Sequence, residues 1–96
     1  MDLQSFKATL TADKLPPGIS GCLAALWYDR KNDWEQAHHI AQDIDDRNGA
    51  WVHAYLHRKE GDIGNARYWY NKAGRSMPDR SLDAEWEELV IAMLQS

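Results

Sequence analysis

Residues Trp51 to Pro78 read WVHAYLHRKEGDIGNARYWYNKAGRSMP. The pattern predicts two helices folded back on each other around Glu60-Gly61-Asp62. Ala50, Ala54 and His57 follow the 3.6-residue spacing, and Leu56, Lys59 and Glu60 are good helix formers. Gly61 can take the left-handed conformation that closes a helix. Asp62 can cap the next one, its carboxylate accepting from backbone amides two or three residues on. Beyond it, Ile63, Ala66, Trp69/Tyr70 and Ala73 share a face. Lys72 and Arg75 put cations in the last turn, and Gly74 and Pro78 end the helix. Two apolar stripes joined by a short loop should pack antiparallel.

The flanks read as helices too. Leu3, Phe6 and Leu10 are helically spaced, which predicts a short helix over Asp2 to Leu10 with Asp2 as cap. Pro16-Pro17-Gly18 forbids its continuation, and Ser20 can cap the next helix. Gly21 to Lys31 is apolar nearly all round, so it should be buried on several sides. Asn32 then Asp33 repeats the stop-and-cap logic of Gly61-Asp62. Trp34, Ala37, Ala41 and Ile44 continue on the following helix. At the far end Leu82, Trp86, Leu89/Val90 and Met93 form the stripe of a last amphipathic helix. The chain thus divides into an N-terminal helix and Pro-rich turn (1–17), a first hairpin (18–46), a second hairpin (47–78) and a C-terminal capping helix (79–96), all in one domain.

Lys59, Gly61-Asp62, Ala66, Tyr70, Ala73 and Pro78 stand in a pattern that resembles the tetratricopeptide repeat. That family has small residues where its two helices touch and a proline closing the unit. Ala54 stands at the family's small first-helix position, whereas His53 and His57 replace its usual leucine and tyrosine. Ala25, Tyr28, Asp33 and Ala37 align with Ala54, His57, Asp62 and Ala66 as a second, degenerate copy. Its offset is shorter than the family's roughly 34 residues, and Ala41 replaces the large aromatic. The resemblance implies an all-α fold of two antiparallel hairpins whose first helices line a groove. Trp51, Tyr55 and Arg58 would face into it, and aromatics and arginine are the residue types that anchor partner peptides. The N-terminal helix filling that groove is the competing arrangement. The chain also resembles a group of small bacterial proteins sharing A-L-W-[YH]-D and W-V-H-A-Y-L-H-R-K-E-G-D segments, which brings no known activity with it.

The 96 residues carry a formal charge of −4 and no Lys/Arg run longer than Arg30-Lys31 or Arg58-Lys59. This argues against nucleic acid or an anionic membrane as the main partner. The longest apolar run, Cys22 to Tyr28, is far short of a membrane span. The single cysteine excludes an internal disulfide and, with no secretory leader visible, fits a cytoplasmic setting. Five Trp and four Tyr supply large apolar areas to a small core.

Four histidines are the sharpest chemical feature. His53 and His57 share a helix face, with Glu60 one turn on, and together they could bind zinc or a similar ion. His38 or His39 could add a ligand if its helix packs alongside. The competing use is structural, with imidazoles filling an inner face and hydrogen-bonding there. Asp43, Asp45 and Asp46 read as a solvated linker. The paired carboxylates, such as Glu87-Glu88, read as solvent-facing. No nucleophile elbow or phosphate loop occurs. The leading expectation is therefore a non-catalytic protein-interaction module without a cofactor, binding a peptide or helix through Trp51, Tyr55 and Arg58. The alternatives are a metal-binding protein using His53, His57 and Glu60, and a homodimeric structural domain.

Overall fold

The computed structural model describes residues 1–96, and its regular structure is all helical. Six α-helices follow in order: α1 (Leu3–Ala8), α2 (Cys22–Arg30), α3 (Trp34–Gln42), α4 (Arg47–Glu60), α5 (Ile63–Ala73) and α6 (Leu82–Leu94). Local chemistry explains the starts. Asp2, Asp33, Asp46, Asp62 and Ser81 each accept the backbone N–H three residues on, which satisfies one orphan donor of their helix. Asp46 is thus a cap and not merely part of a solvated linker. Only α2 lacks such a cap: Gly21, not Ser20, precedes it, at φ 60°. The stops match as well. Asn32 (φ 64°) and Gly61 (φ 90°) are left-handed, and each is followed by a capping aspartate.

Other boundaries differ from expectation. The first helix ends at Ala8 and tightens into a 3₁₀ turn, Thr9–Thr11. Helix α3 ends at Gln42, so Ile44 lies in the link and not on the helix.

Consecutive helices pack side by side: α2 on α3, α3 on α4, and α4 on α5. Ala25, Ala37, Ala54 and Ala66 are all fully buried. With only a methyl group at each point, the helix axes can approach closely. Helix α6 departs from the expected cap. It lies against α2 and α4, and α1 packs on α6 in turn. Phe6 meets Trp86 at a ring separation of 6.0 Å. Trp86 Nε1 donates to Leu26 O at 3.1 Å, and the Arg30 guanidinium lies 4.0 Å over the same ring. The outer face of α5 stays open, with Tyr68 53% and Ile63 39% exposed.

The consequence for α4 is burial on every side. Each residue from Gly49 to His57 is buried. Gly49 is where the entry to α4 passes closest to the preceding link. A Cβ there would overlap Ile44 O and come within 2.7 Å of Ile44 Cβ and 2.8 Å of its Cγ2. Gly64, in the first turn of α5, faces open space. Gly49→Ala should therefore cost about 1–3 kcal/mol by overpacking. Gly64→Ala should stabilise by about 0.5 kcal/mol through lost unfolded-state freedom. Urea midpoints at unchanged m-value read both, and a harmless Gly49→Ala would contradict the close approach.

Candidate metal centre

Helix α4 presents its polar side chains to three neighbours, and the arrangement follows from helical spacing. Trp51, Tyr55 and Arg58, expected to line a partner groove, are turned into the protein. Trp51 and Tyr55 are only 3% and 2% exposed. Trp51 Nε1 donates to Glu85 Oε2 at 3.2 Å, and the Arg75 guanidinium sits 3.4 Å over its ring. Tyr55 donates its hydroxyl to Asp29 Oδ2 at 2.7 Å. Arg58 bonds Glu85 Oε1 at 2.8 Å through Nη1 and donates to Arg80 O through Nη2. The face expected to form a groove is covered by α6, not by the N-terminal helix. A partner on this face would have to displace α6.

Two carboxylates, Glu85 and Asp29, are internal. Glu85 is fully buried and also accepts from Tyr70 OH at 2.6 Å and 2.8 Å. Asp29 is 1% exposed and pairs with Lys59 Nζ at 2.8 Å. Burial, then the bond to Glu85, pushes the Tyr70 hydroxyl's pKa up; burial, then Asp29, does the same to Tyr55. Both phenols therefore remain donors. Glu85 lies between Leu82 and Leu89 on the apolar stripe of α6, which is the sequence signal for its burial.

The opposite face of α4 carries the histidines. His53 and His57 lie one turn apart with rings stacked 4.8 Å between centroids. His38 reaches them from α3, and its Nε2 is 2.9 Å from His53 Nε2. One ring nitrogen from each of His38, His53 and His57 falls within 4.8 Å of the other two. His39, the other candidate on α3, is exposed. Glu60 groups with His57 and Asp62 and not with His53. Its Oε1 is 2.7 Å from His57 Nδ1, which leaves His57 Nε2 as the free nitrogen. Glu60 is thus the carboxylate that orients a histidine, an arrangement common behind metal-bound imidazoles.

Aromatic walls hold the rings in place. Trp69 stacks on His53 at 4.0 Å and Trp34 on His38 at 4.8 Å. Trp34 is itself anchored by its Nε1 donating to Leu56 O at 2.9 Å. Burial, then the neighbouring imidazoles His38 and His57, lowers the His53 pKa to about 4. Burial first, then His57, lowers that of His38 as well. Both rings are thereby kept neutral near pH 7, the form that binds a metal ion. A tetrahedral zinc ion with Zn–N bonds of about 2.0–2.1 Å sets its ligand nitrogens roughly 3.4 Å apart. The ring nitrogens here, 2.9 Å apart at the closest pair and within 4.8 Å overall, need only small side-chain shifts to match. No fully buried side-chain nitrogen or oxygen lacks a partner, so the nitrogens left free in this cluster are ones that solvent can reach.

His53 also lines a cleft of about 410 Å³ between the α3–α4 link, the start of α4 and the end of α5. Trp69, Arg47, Lys72, Asp45 and Asp46 are among its walls. Cys22, by contrast, stands apart as a half-buried free thiol, whose pKa burial and then Asp46 push up to about 11. It stays protonated near neutrality. A scan against protein-family models, a search of curated proteins and a search of solved structures each return no match for this chain.

Stability measurements test both sides of α4. Unfolded, His53 takes up a proton near its ordinary 6.5, but folded only at about 4. Between those values the unfolded chain binds more protons, so stability is full above pH 6.5 and declines as pH falls towards 4. The loss is on the order of 2 kcal/mol after allowance for solvent near the ring. The gap in unfolding free energy between wild type and His53→Gln should narrow across that window and stay level above it. A gap independent of pH would refute the lowered pKa. For the buried network, Glu85→Ala leaves Arg58 without its partner and should cost about 3–5 kcal/mol. Glu88→Ala, which removes an exposed pair with Arg80 at 3.2 Å, should cost no more than about 0.5 kcal/mol. Equal losses in denaturant melts would contradict the assignment of Glu85 to the core.

Proposed function

We propose that this protein is a helical metal-binding domain that takes one divalent transition-metal ion on His38, His53 and His57. The observation that carries the reading is the convergence of three imidazoles from two helices, with ring nitrogens within 4.8 Å of each other. Imidazole ligands suit zinc, copper, nickel and iron, and exclude calcium and magnesium as the preferred ions. Three protein ligands leave one position of a tetrahedral ion for water or a further ligand. The Nε2 atoms of His38 and His53 lie 2.9 Å apart, at hydrogen-bonding distance, and an ion would replace that contact. Glu60 supports the site by orienting His57.

A partner groove is the weaker reading, because Trp51, Tyr55 and Arg58 already have partners within the chain. The hairpins then serve as a rigid frame. We take their small-residue contacts to follow the tetratricopeptide pattern, with histidines set where that family has leucine and tyrosine.

Calorimetric titration of zinc into chelator-treated protein should give saturable heat at micromolar concentration with one ion per chain. His38→Gln should abolish the binding, and Glu60→Gln should weaken it about 10–100-fold. Absence of saturable heat in the wild type would end the proposal.

A further inference from the structure

A second cleft, of about 300 Å³, lies at the C-terminal end of α5 and shares no residue with the imidazole cluster. Arg67, Asn71, Arg75 and Ser76 line it together with Tyr70 and Met77, and no acid is among them. We infer that this cleft binds the phosphoryl group of a phosphate monoester between Arg67 and Arg75. The inference is independent of the metal reading.

Local structure brings the two arginines to one cleft. From Ile63 to Pro78 the sequence holds Arg67, Lys72 and Arg75 but no acid. Gly74, left-handed at φ 72°, ends α5 and folds the chain back, so that Arg75 N donates to Tyr70 O at 2.9 Å. Gly74 N donates to Asn71 O at 3.0 Å. These carbonyls of the helix end are engaged by the chain itself, which lessens their repulsion of an anion. The Arg75 guanidinium lies 3.4 Å over the ring of buried Trp51. A guanidinium carries its N–H donors in its own plane, so the ring beneath holds the group without using them. Neither Arg67 nor Arg75 belongs to an ion pair. Glu85, which accepts from the Tyr70 hydroxyl, is fully buried and also holds Trp51 and Arg58. Two like charges facing one small cleft repel, and a bound dianion removes that cost. A phosphoryl group suits the donors better than a carboxylate does. It brings a charge of about −1.5 to −2 and about three strong acceptor oxygens to the two guanidiniums, the Asn71 amide and the Ser76 hydroxyl. Half-buried Met77 gives the ester carbon an apolar wall. The volume lies at the small end of the range for small-molecule sites.

Ethyl phosphate titrated into chelator-treated protein should shift the side-chain N–H NMR signals of Arg67, Arg75 and Asn71 saturably. Chelation removes any ion that could itself bind phosphate. Acetate at equal ionic strength should bind about tenfold more weakly or worse. Arg67→Gln, at an exposed position, should weaken ethyl phosphate binding by about tenfold or more. Lys14→Gln, at an exposed cation outside the lining, should leave it within about twofold. A blocked alanine–phosphoserine–alanine peptide that binds more tightly than ethyl phosphate places the phosphate on a protein, and one that binds more weakly places it on a small molecule; both outcomes support the cleft. Shifts that do not saturate, acetate matching ethyl phosphate, or Arg67→Gln and Lys14→Gln behaving alike would each overturn it.

Discussion

Helix α4 is surrounded. Every residue from Gly49 to His57 is buried, yet the segment contains Trp51, His53, Tyr55 and His57, and Arg58 and Lys59 follow directly. A polar group taken out of water costs free energy unless it gains a hydrogen bond. The neighbours of α4 must therefore carry complementary groups at matching heights, and they do. Asp29 of α2 meets Tyr55 and Lys59, Glu85 of α6 meets Trp51 and Arg58, and His38 of α3 meets His53. No fully buried side-chain polar atom is left without a partner. The order of packing around α4 is specified by these matches as much as by apolar area.

That constraint divides the helix into two chemical sides. On one, anionic acceptors from α2 and α6 receive phenol, indole and guanidinium donors. Removing either charge would strand the other in a low-dielectric setting, which makes α6 an integral wall. On the other side the carboxylates near the rings, Glu60 and Asp62, lie at the His57 end. There the imidazoles bond to each other and stack on Trp34 and Trp69. Burial favours the uncharged form of His38 and His53. The same packing that surrounds the central helix thus brings the three imidazoles together.

Much of the frame was legible because it is local. Asp33 and Asp62 follow left-handed residues and cap helices in both hairpins. Ala54 and Ala66 mark the contact of α4 with α5. The i,i+4 spacing of His53 and His57 places them on one face whatever surrounds them. The C-terminal stripe of Leu82, Trp86, Leu89 and Met93 predicted a helix with a buried side. These features depend on backbone geometry over a few residues, and a sequence carries that information directly.

What the stripe packs against was not local. Whether α6 covers α5 or lies across α2 and α4 depends on Glu85 finding Arg58, Tyr70 and Trp51, residues 15 to 34 positions away in the chain. Glu85 stands on the apolar stripe of α6 and Asp29 in a helix that is apolar nearly all round, but the donors they meet belong to other helices. That His38 and not His39 meets His53 turns on the rotation of α3 against α4. Amino-acid order determined the rods, most of their caps and which residues share a face. Only tertiary packing decided which faces meet, because the desolvation of a charge and the convergence of three rings depend on distances between separate helices.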